Sequence, residues 1–135
     1  MEYTMYNTLL QLPLFQGMSK TDLSEILEKT KFHFQKIKPG DHLFYAGSPC
    51  LQLTFLIHGE LHAETCAPYS DFSFIEFLSA PMLIEPHSLF GASPTYKATY
   101  TAQKSCSILS IDKQYIHSML STHEIFRINF LNLLC

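Results

Sequence analysis

The segment from Pro86 to Ala102 carries the residues with the clearest potential for ligand chemistry. A short apolar turn ends in Phe90-Gly91 and is followed, after one proline, by an alternating strand. Backbone amides around such a glycine, next to hydroxyl or basic side chains, can cradle an anion. A tight connection between two strands, with Gly91 needed for backbone geometry alone, is the alternative interpretation.

Seven histidines are the other residues that could hold a metal or a haem. His62 and Glu64 share one face of a predicted strand, which is a minimal basis for a metal site. His87, inside the Pro86–Ala102 segment, is the candidate axial ligand for haem. Exposed or hydrogen-bonded histidines account for the same pattern, and this interpretation is favoured, so no metal ligand is assigned.

Catalysis and nucleic-acid binding find no support in the sequence. No nucleophile stands beside a base, so no catalytic residue is assigned and a non-enzyme is predicted. Nine basic and twelve acidic residues give a net charge of −3 without a basic cluster, which argues against DNA contact through this segment.

The cysteines and the apolar residues predict a cytoplasmic, folded protein. The four cysteines are scattered, without a CxxC pair, so we expect reduced thiols and no local metal or iron–sulfur centre. No export signal is visible, and no apolar run reaches the ~20 residues that span a bilayer. A content of 47% hydrophobic residues in a chain of 135 predicts one domain with a substantial core.

Hydrophobic periodicity predicts the elements that would position the segment. Ser19 is expected to cap a helix over residues 19–30. Turn signals about every eight to twelve residues then separate short alternating strands, as in an antiparallel sandwich or barrel. The expected strands cover residues 32–37, 43–45, 51–57, 61–66, 72–77, 82–84, 97–103 and 106–111, with a turn over 67–71.

Helical periodicity returns after Ile111. Asp112 is expected to cap a helix over residues 113–120, and a second helix begins near residues 122–123. The second helix is apolar on nearly every side, unlike a lone surface helix, so we expect a second copy of the chain to cover one face. It reaches Cys135 without a stop signal, which indicates a chain cut inside a longer protein; a natural C-terminal helix is the alternative.

Five short motifs follow one another in a distinctive order. They are Leu12-Pro-Leu-Phe15, Lys38-Pro39-Gly40-Asp41, Ala46-Gly47-Ser48, Ile57-His58-Gly59-Glu60-Leu61 and Leu89-Phe90-Gly91. This order resembles the cyclic-nucleotide-binding sensor domain of the Crp/Fnr family of bacterial transcription regulators.

The resemblance implies a mainly β fold, an antiparallel double-stranded β-helix or jelly-roll barrel, within a single domain over residues 1–135. It implies N-terminal helices over residues 1–30, the β-roll over 31–111 and C-terminal helices over 112–135. It also implies a homodimer formed through the C-terminal dimerisation helix. DNA would be contacted only through a domain absent from this chain, and no membrane is involved.

The resemblance further implies that the Pro86–Ala102 segment is an effector site. In the family, a short helix opening with Phe-Gly-Glu supplies a glutamate for ribose hydroxyls, and a following arginine pairs with the cyclic phosphate. Here Ala92 follows Phe90-Gly91, and Tyr96 stands at the arginine position. The alanine side chain cannot accept a hydrogen bond from ribose hydroxyls, and the tyrosine side chain cannot form the charge-assisted pair with phosphate. The candidate degenerate cassette comprises Leu89, Phe90, Gly91, Ala92, Tyr96, Lys97, Ala98 and Thr99.

The sequence therefore predicts an effector-sensing regulatory domain whose cassette does not bind cyclic AMP by the usual contacts. Binding of any cyclic nucleotide by those contacts is not expected, and the sequence names no other effector. Two alternatives stay open: a stand-alone protein-interaction or dimerisation module, and a haem-based gas or redox sensor.

Overall fold

The computed structural model describes residues 7, 9–66 and 72–134. The chain forms two compact units, one from residues 33–110 and one from the two ends of the chain, up to residue 32 and from residue 111 onward. The turn expected over residues 67–71 lies outside the described residues, as does most of the chain before residue 9.

The described strands form two four-stranded sheets, with the orders β1-β8-β3-β6 and β2-β7-β4-β5. Strands distant in sequence are neighbours in both sheets, which distinguishes this arrangement from a simple meander of hairpins. The antiparallel two-sheet architecture expected from the turn spacing, and the β-roll that the resemblance implies, are therefore confirmed. The strands are β1 (Phe32–Ile37), β2 (His42–Phe44), β3 (Gln52–His58), β4 (Glu60–Cys66), β5 (Ser73–Ser79), β6 (Met82–Ile84), β7 (Thr99–Ala102) and β8 (Cys106–Asp112).

Burial in β4 follows the side-chain period of two, whereas β3 is buried on both faces. In β4, Leu61 and Ala63 are buried whereas His62 and Glu64 are half-buried. The central strand β3 is buried over most of its length, as a strand with a neighbour on each side in the sheet should be. The core of residues 33–110 is lined mainly by Leu53, Phe55, Leu56, Leu61, Ile84, Ile108 and Leu109.

Strand β7 is shorter than its hydrophobic pattern predicts. The expected strand began at residue 97, but β7 begins at Thr99. The preceding residues make other hydrogen bonds: the Tyr96 carbonyl accepts the Gly47 N–H, and the Lys97 N–H donates to the side chain of Glu85. The chain that enters β7 is therefore a loop held by its own set of contacts.

Helix α1 (Lys20–Lys29) confirms the prediction for residues 19–30. The Ser19 Oγ accepts the Asp22 N–H at 3.1 Å, which satisfies one of the free amides at the helix start. Leu23 and Ile26 form the buried face of this helix.

Two helices follow the last strand, α2 (Lys113–Thr122) and α3 (Glu124–Leu134). Both begin close to the expected positions; Asp112 occupies the N-cap position of α2, but its side chain does not make the expected capping hydrogen bond. Helix α3 contacts the 3₁₀ turn Pro13–Phe15, where the rings of Phe126 and Phe15 lie 5.6 Å apart. The described helices all fall short of the length and apolar character that a membrane crossing needs.

Candidate functional site

An unusual backbone conformation lies directly before the Pro86–Ala102 segment. Strand β6 ends at Ile84, and the next residue, Glu85, has φ 39° and ψ 58°, in the left-handed region. For a residue with a Cβ this conformation costs about 1–2 kcal/mol. Pro86 then occupies the start of a 3₁₀ turn, Pro86–Ser88, where its fixed φ and missing N–H are tolerated.

The Glu85 carboxylate is the centre of a hydrogen-bond network. The Lys97 backbone N–H donates to both of its oxygens, at 3.0 Å and 3.2 Å. The Ser88 hydroxyl donates to Oε1 at 2.7 Å, and the Tyr100 hydroxyl donates to Oε2 at 2.6 Å. The O–H bonds have the short distances of hydrogen bonds to an ionised carboxylate. The network joins the end of β6, the 3₁₀ turn and β7.

Tyr96, at the position where the resemblance expects arginine, is buried with 2% of its surface exposed. Its ring stacks on Phe44 with centroids 4.0 Å apart and meets Tyr100 edge-on at 6.5 Å. Burial raises the pKa of the Tyr96 phenol, and hydrogen bonding with Cys50 raises it further. This position therefore supplies a neutral aromatic ring instead of the cation that the resemblance implies.

Lys97 contributes its backbone to the network, whereas its ammonium lies elsewhere. The Nζ atom donates to the Ser93 carbonyl at 3.3 Å and to the Thr95 hydroxyl at 3.2 Å. Alternation along a strand would direct the Lys97 side chain to the face opposite Tyr96, and Lys97 is indeed exposed beside a buried Tyr96. The positive charge is held on the loop of residues 93–95.

The structure separates the remaining predicted site residues. Leu89 and Ala98 are buried, Phe90 is half-buried, and Gly91 and Ala92 are exposed. The φ of 118° at Gly91 favours glycine, and a Cβ there would meet nothing within 4 Å. The donors that converge on a carboxylate therefore lie at Ser88, Lys97 and Tyr100, and Gly91 is not among them.

A second loop fixes the chain before β7. Antiparallel hydrogen bonds join it to the segment: Tyr96 N–H to the Ser48 carbonyl at 3.0 Å, and Cys50 N–H to the Pro94 carbonyl at 2.8 Å. The Thr99 hydroxyl accepts the Ala46 N–H at 3.0 Å. The predicted motif Ala46-Gly47-Ser48 thus positions the residues that carry the aromatic cluster.

Glu85 is the residue that sequence reasoning missed. It lies in a loop with two prolines, and its partners are three, twelve and fifteen residues further along the chain. No periodicity or short motif marks such a contact. The one available signal is that Glu85 directly follows a strand and directly precedes the Pro86–Ala102 segment.

The predicted histidine sites are placed apart from this network. His87 is exposed on the 3₁₀ turn, and His62 is hydrogen-bonded to the side chain of Gln103. In the part of the chain that the structure describes, the side chains close enough to share a metal ion are those of Asp22, Glu25 and His123. Lys29 already pairs with Glu25 at 2.9 Å.

The thiols agree with the sequence-based expectation where they are described. Cys50 and Cys106 are buried thiols that are not disulfide-bonded, with about 1% and 2% of their surfaces exposed. Burial raises the pKa of the Cys106 thiol, so it stays protonated at neutral pH. The side chains of Cys66 and Cys135 lie outside the described part.

Comparisons with solved structures agree on the fold. The sensor domain of the transcriptional regulator DNR from Pseudomonas aeruginosa has a TM-score of 0.81 at 20% identity, over 99% of this chain and 89% of that one. A cyclic nucleotide-binding domain from Methylobacillus flagellatus has a TM-score of 0.80 at 14% identity, over 97% and 76%. The Thermus thermophilus catabolite activator protein has a TM-score of 0.76 at 18% identity, over 91% and 56%.

The chain thus spans little more than half of the catabolite activator protein. A search of curated protein sequences gave no match. The family described as "Cyclic nucleotide-binding domain" matches residues 34–123, which is more than half of the chain. This protein therefore belongs to the cyclic nucleotide-binding domain family.

Proposed function

We propose that the chain is the effector-sensing domain of a Crp/Fnr-like transcription regulator, with a cassette that does not bind cyclic AMP by the family's usual contacts. Membership of the cyclic nucleotide-binding family and the similarity to the DNR sensor domain support the sensing role. The burial of Tyr96 at the arginine position carries the second part of the proposal.

The electrostatic consequence of Tyr96 is large. A phosphate entering a partly buried site loses hydration, and an arginine offsets this loss through paired, charge-assisted hydrogen bonds. Truncating one partner of such a buried pair costs about 2–5 kcal/mol. Tyr96 cannot form the pair, because its phenol stays neutral and its ring is already stacked on Phe44.

Calorimetric titration of the 135-residue protein with cyclic AMP and with cyclic GMP tests this function. We expect no saturable binding at micromolar ligand, because about 2–5 kcal/mol corresponds to a loss of roughly thirtyfold or more in affinity. A cyclic-nucleotide-binding member of the same family is the positive control. Saturable micromolar binding to the wild-type chain would contradict the proposed loss of the usual contacts.

We further infer that the regulator works as a homodimer joined through α3. The helix exposes Ile125, Ile128 and Leu131, with 40%, 47% and 54% of their surfaces accessible. Its opposite side is used within the domain, since Phe126 and Phe130 are buried. The exposed stripe has helical spacing and suits a second copy of the same helix.

A stand-alone interaction module is the second candidate, and strand β5 favours it. This strand stands at the edge of its sheet, where the backbone can pair with another chain. Several large apolar side chains on and beside it are exposed: Phe72, Phe74, Ile75 and Phe77, with 56–76% of their surfaces accessible. Loss of association on substitution of Phe77 by lysine, with α3 intact, would favour this candidate over the regulator.

A further inference from the structure

Three donors from separate parts of the chain converge on one carboxylate. Ser88 belongs to the 3₁₀ turn, Lys97 to the loop before β7, and Tyr100 to β7 itself. Two hydroxyl groups and one backbone amide at 2.6–3.2 Å are the kind of donors that proteins use to bind phosphate or carboxylate ligands. Here the bound anion is a side chain of the protein itself.

The backbone of Glu85 departs from two conformational preferences at once. A residue with a Cβ avoids the left-handed region, and a residue before proline favours an extended backbone. Glu85 nevertheless has φ 39° and ψ 58°, directly before Pro86. An extended backbone at this position is the lower-energy local alternative, so the hydrogen bonds of the carboxylate compensate for the strained conformation.

We propose that Ser88, Lys97 and Tyr100 form a binding site for a small oxyanion and that the Glu85 carboxylate is its tethered occupant. A ligand with a phosphate or carboxylate group would bind at these donors only by displacing Glu85. The strained backbone favours displacement, because Glu85 can return to an extended conformation when its side chain leaves. The site is therefore closed to free anions in the described state.

This inference deepens the proposed function and rests on it, because Ser88, Lys97 and Tyr100 lie in the proposed effector segment. It concerns which group occupies the donors of that segment, whereas the Tyr96 argument concerns a missing cation. The failures of the two proposals are distinguishable, because the first is tested with cyclic nucleotides on the wild type and the second with simple oxyanions on a variant.

The variant Glu85→Gly tests the tethered occupant. Glycine removes the carboxylate and tolerates the positive φ, so the loop can keep its conformation. We expect inorganic phosphate to raise the Tm of this variant by about 3 °C or more at ten times its Kd, and to leave the wild type unchanged relative to sodium chloride of equal ionic strength. Acetate, which mimics the lost side chain, is the second probe, and the tighter of the two identifies the preferred oxyanion.

Two further variants control this experiment. Glu28→Ala removes the same charge from an exposed position in α1, and it should show no response to either anion. Adding Tyr100→Phe to Glu85→Gly should weaken phosphate binding by about tenfold, since it removes one donor. A Glu85→Gly protein with no response to either anion would overturn the proposal, as would an equal response in Glu28→Ala.

A measurement on the wild type covers the case in which Glu85→Gly does not fold. In NMR spectra of the wild type, a scalar coupling across the hydrogen bond should join the Lys97 amide nitrogen to the Glu85 side-chain carboxyl carbon. The backbone hydrogen bond from the Cys50 N–H to the Pro94 carbonyl is the positive control. A Lys97 amide without this coupling, beside a detectable coupling in the control, would contradict the tethered occupancy.

Discussion

Among single residues, the two buried tyrosines show how the site handles charge. Tyr96 and Tyr100 expose only 2% and 4% of their surfaces. Burial is the main cause that raises the pKa of each phenol, and for Tyr100 the hydrogen bond to Glu85 raises it further. Loss of the Tyr100 proton would place a phenolate 2.6 Å from a carboxylate oxygen. The network is therefore stable only while the phenols remain protonated.

This dependence predicts that the protein loses stability in alkali. Below pH of about 10, tyrosines are protonated in the folded and unfolded states, so their contribution is fully present. Above a pH of about 10, the tyrosines of the unfolded chain release their protons, whereas the folded chain retains them until the raised pKa values of Tyr96 and Tyr100 are reached. The free energy of unfolding should then fall by up to about 1.4 kcal/mol per pH unit for each buried tyrosine.

Urea denaturation from about pH 8 to 11 measures this slope. Tyr100→Phe should reduce the slope by the contribution of one proton, about 1.4 kcal/mol per pH unit. Tyr45→Phe is the matched control, since Tyr45 has 57% of its surface exposed. An unchanged slope in Tyr100→Phe, or an equal reduction in both variants, would contradict the role given to burial.

The sequence predicts individual residues only where they follow a known pattern. The placement of Tyr96 at the arginine position rests on the resemblance and stays a prediction, whereas its burial is observed. Glu85 could not be found, because its role depends on a loop that returns to it after twelve residues. Hydrogen bonds between distant residues leave no periodicity in the sequence.

Among the elements, the turn between β3 and β4 contains the glycine with the least room for an added Cβ. Gly59 has φ 105°, and a Cβ there would lie 2.5 Å from the Ser105 carbonyl oxygen and 2.9 Å from the Cys106 Cα. The Gln103 N–H donates to the Glu60 carbonyl at 2.8 Å, so the same turn is tied to the chain before β8. The turn and the start of β8 are therefore packed backbone against backbone.

Gly59→Ala should consequently be among the most destabilising small substitutions in this chain. The positive φ costs about 1–2 kcal/mol, and the forced backbone shift adds about 1–3 kcal/mol. Gly47→Ala separates the two effects, since Gly47 has φ 89° but nothing within 4 Å of its added Cβ. Urea unfolding should show the larger loss for Gly59→Ala, and equal losses would contradict the packing argument.

Element positions were predictable from the sequence wherever one hydrophobic period dominated. β1 and β6 and the start of β8 match the predicted residues, and α1 was marked by both its apolar stripe and its Ser19 cap. The start of β7 was not predictable, because Lys97 fits an alternating pattern while its N–H donates to a side chain. The order of the strands within each sheet was likewise not accessible from periodicity, since it depends on contacts between strands distant in sequence.

At the scale of the whole molecule, the exposed apolar stripe on α3 and the low net charge of the chain both favour association between copies. The net charge of −3 over 135 residues gives little repulsion between copies. The side of α3 that carries Phe126 and Phe130 is buried, and Asn129 donates to the Leu14 and Gln16 carbonyls at 3.0 Å and 2.8 Å. The helix is thereby fixed to the turn before α1, with its second apolar side exposed.

We therefore expect the protein to sediment as a dimer at micromolar concentration, and the double variant Ile128→Asp, Leu131→Asp to sediment as a monomer. Burying an aspartate in an apolar helix interface leaves a charge without a partner, which such an interface does not tolerate.

Point substitutions are preferable to deletion of the last twelve residues, because the deletion also removes the buried side chains of Phe126 and Phe130. Phe34→Asp, on β1 with 65% of its surface exposed, makes the same change of polarity away from α3 and should leave the dimer intact. A wild type that remains monomeric, or a double variant that remains dimeric with an unchanged circular dichroism spectrum, would show that α3 is not the dimer contact.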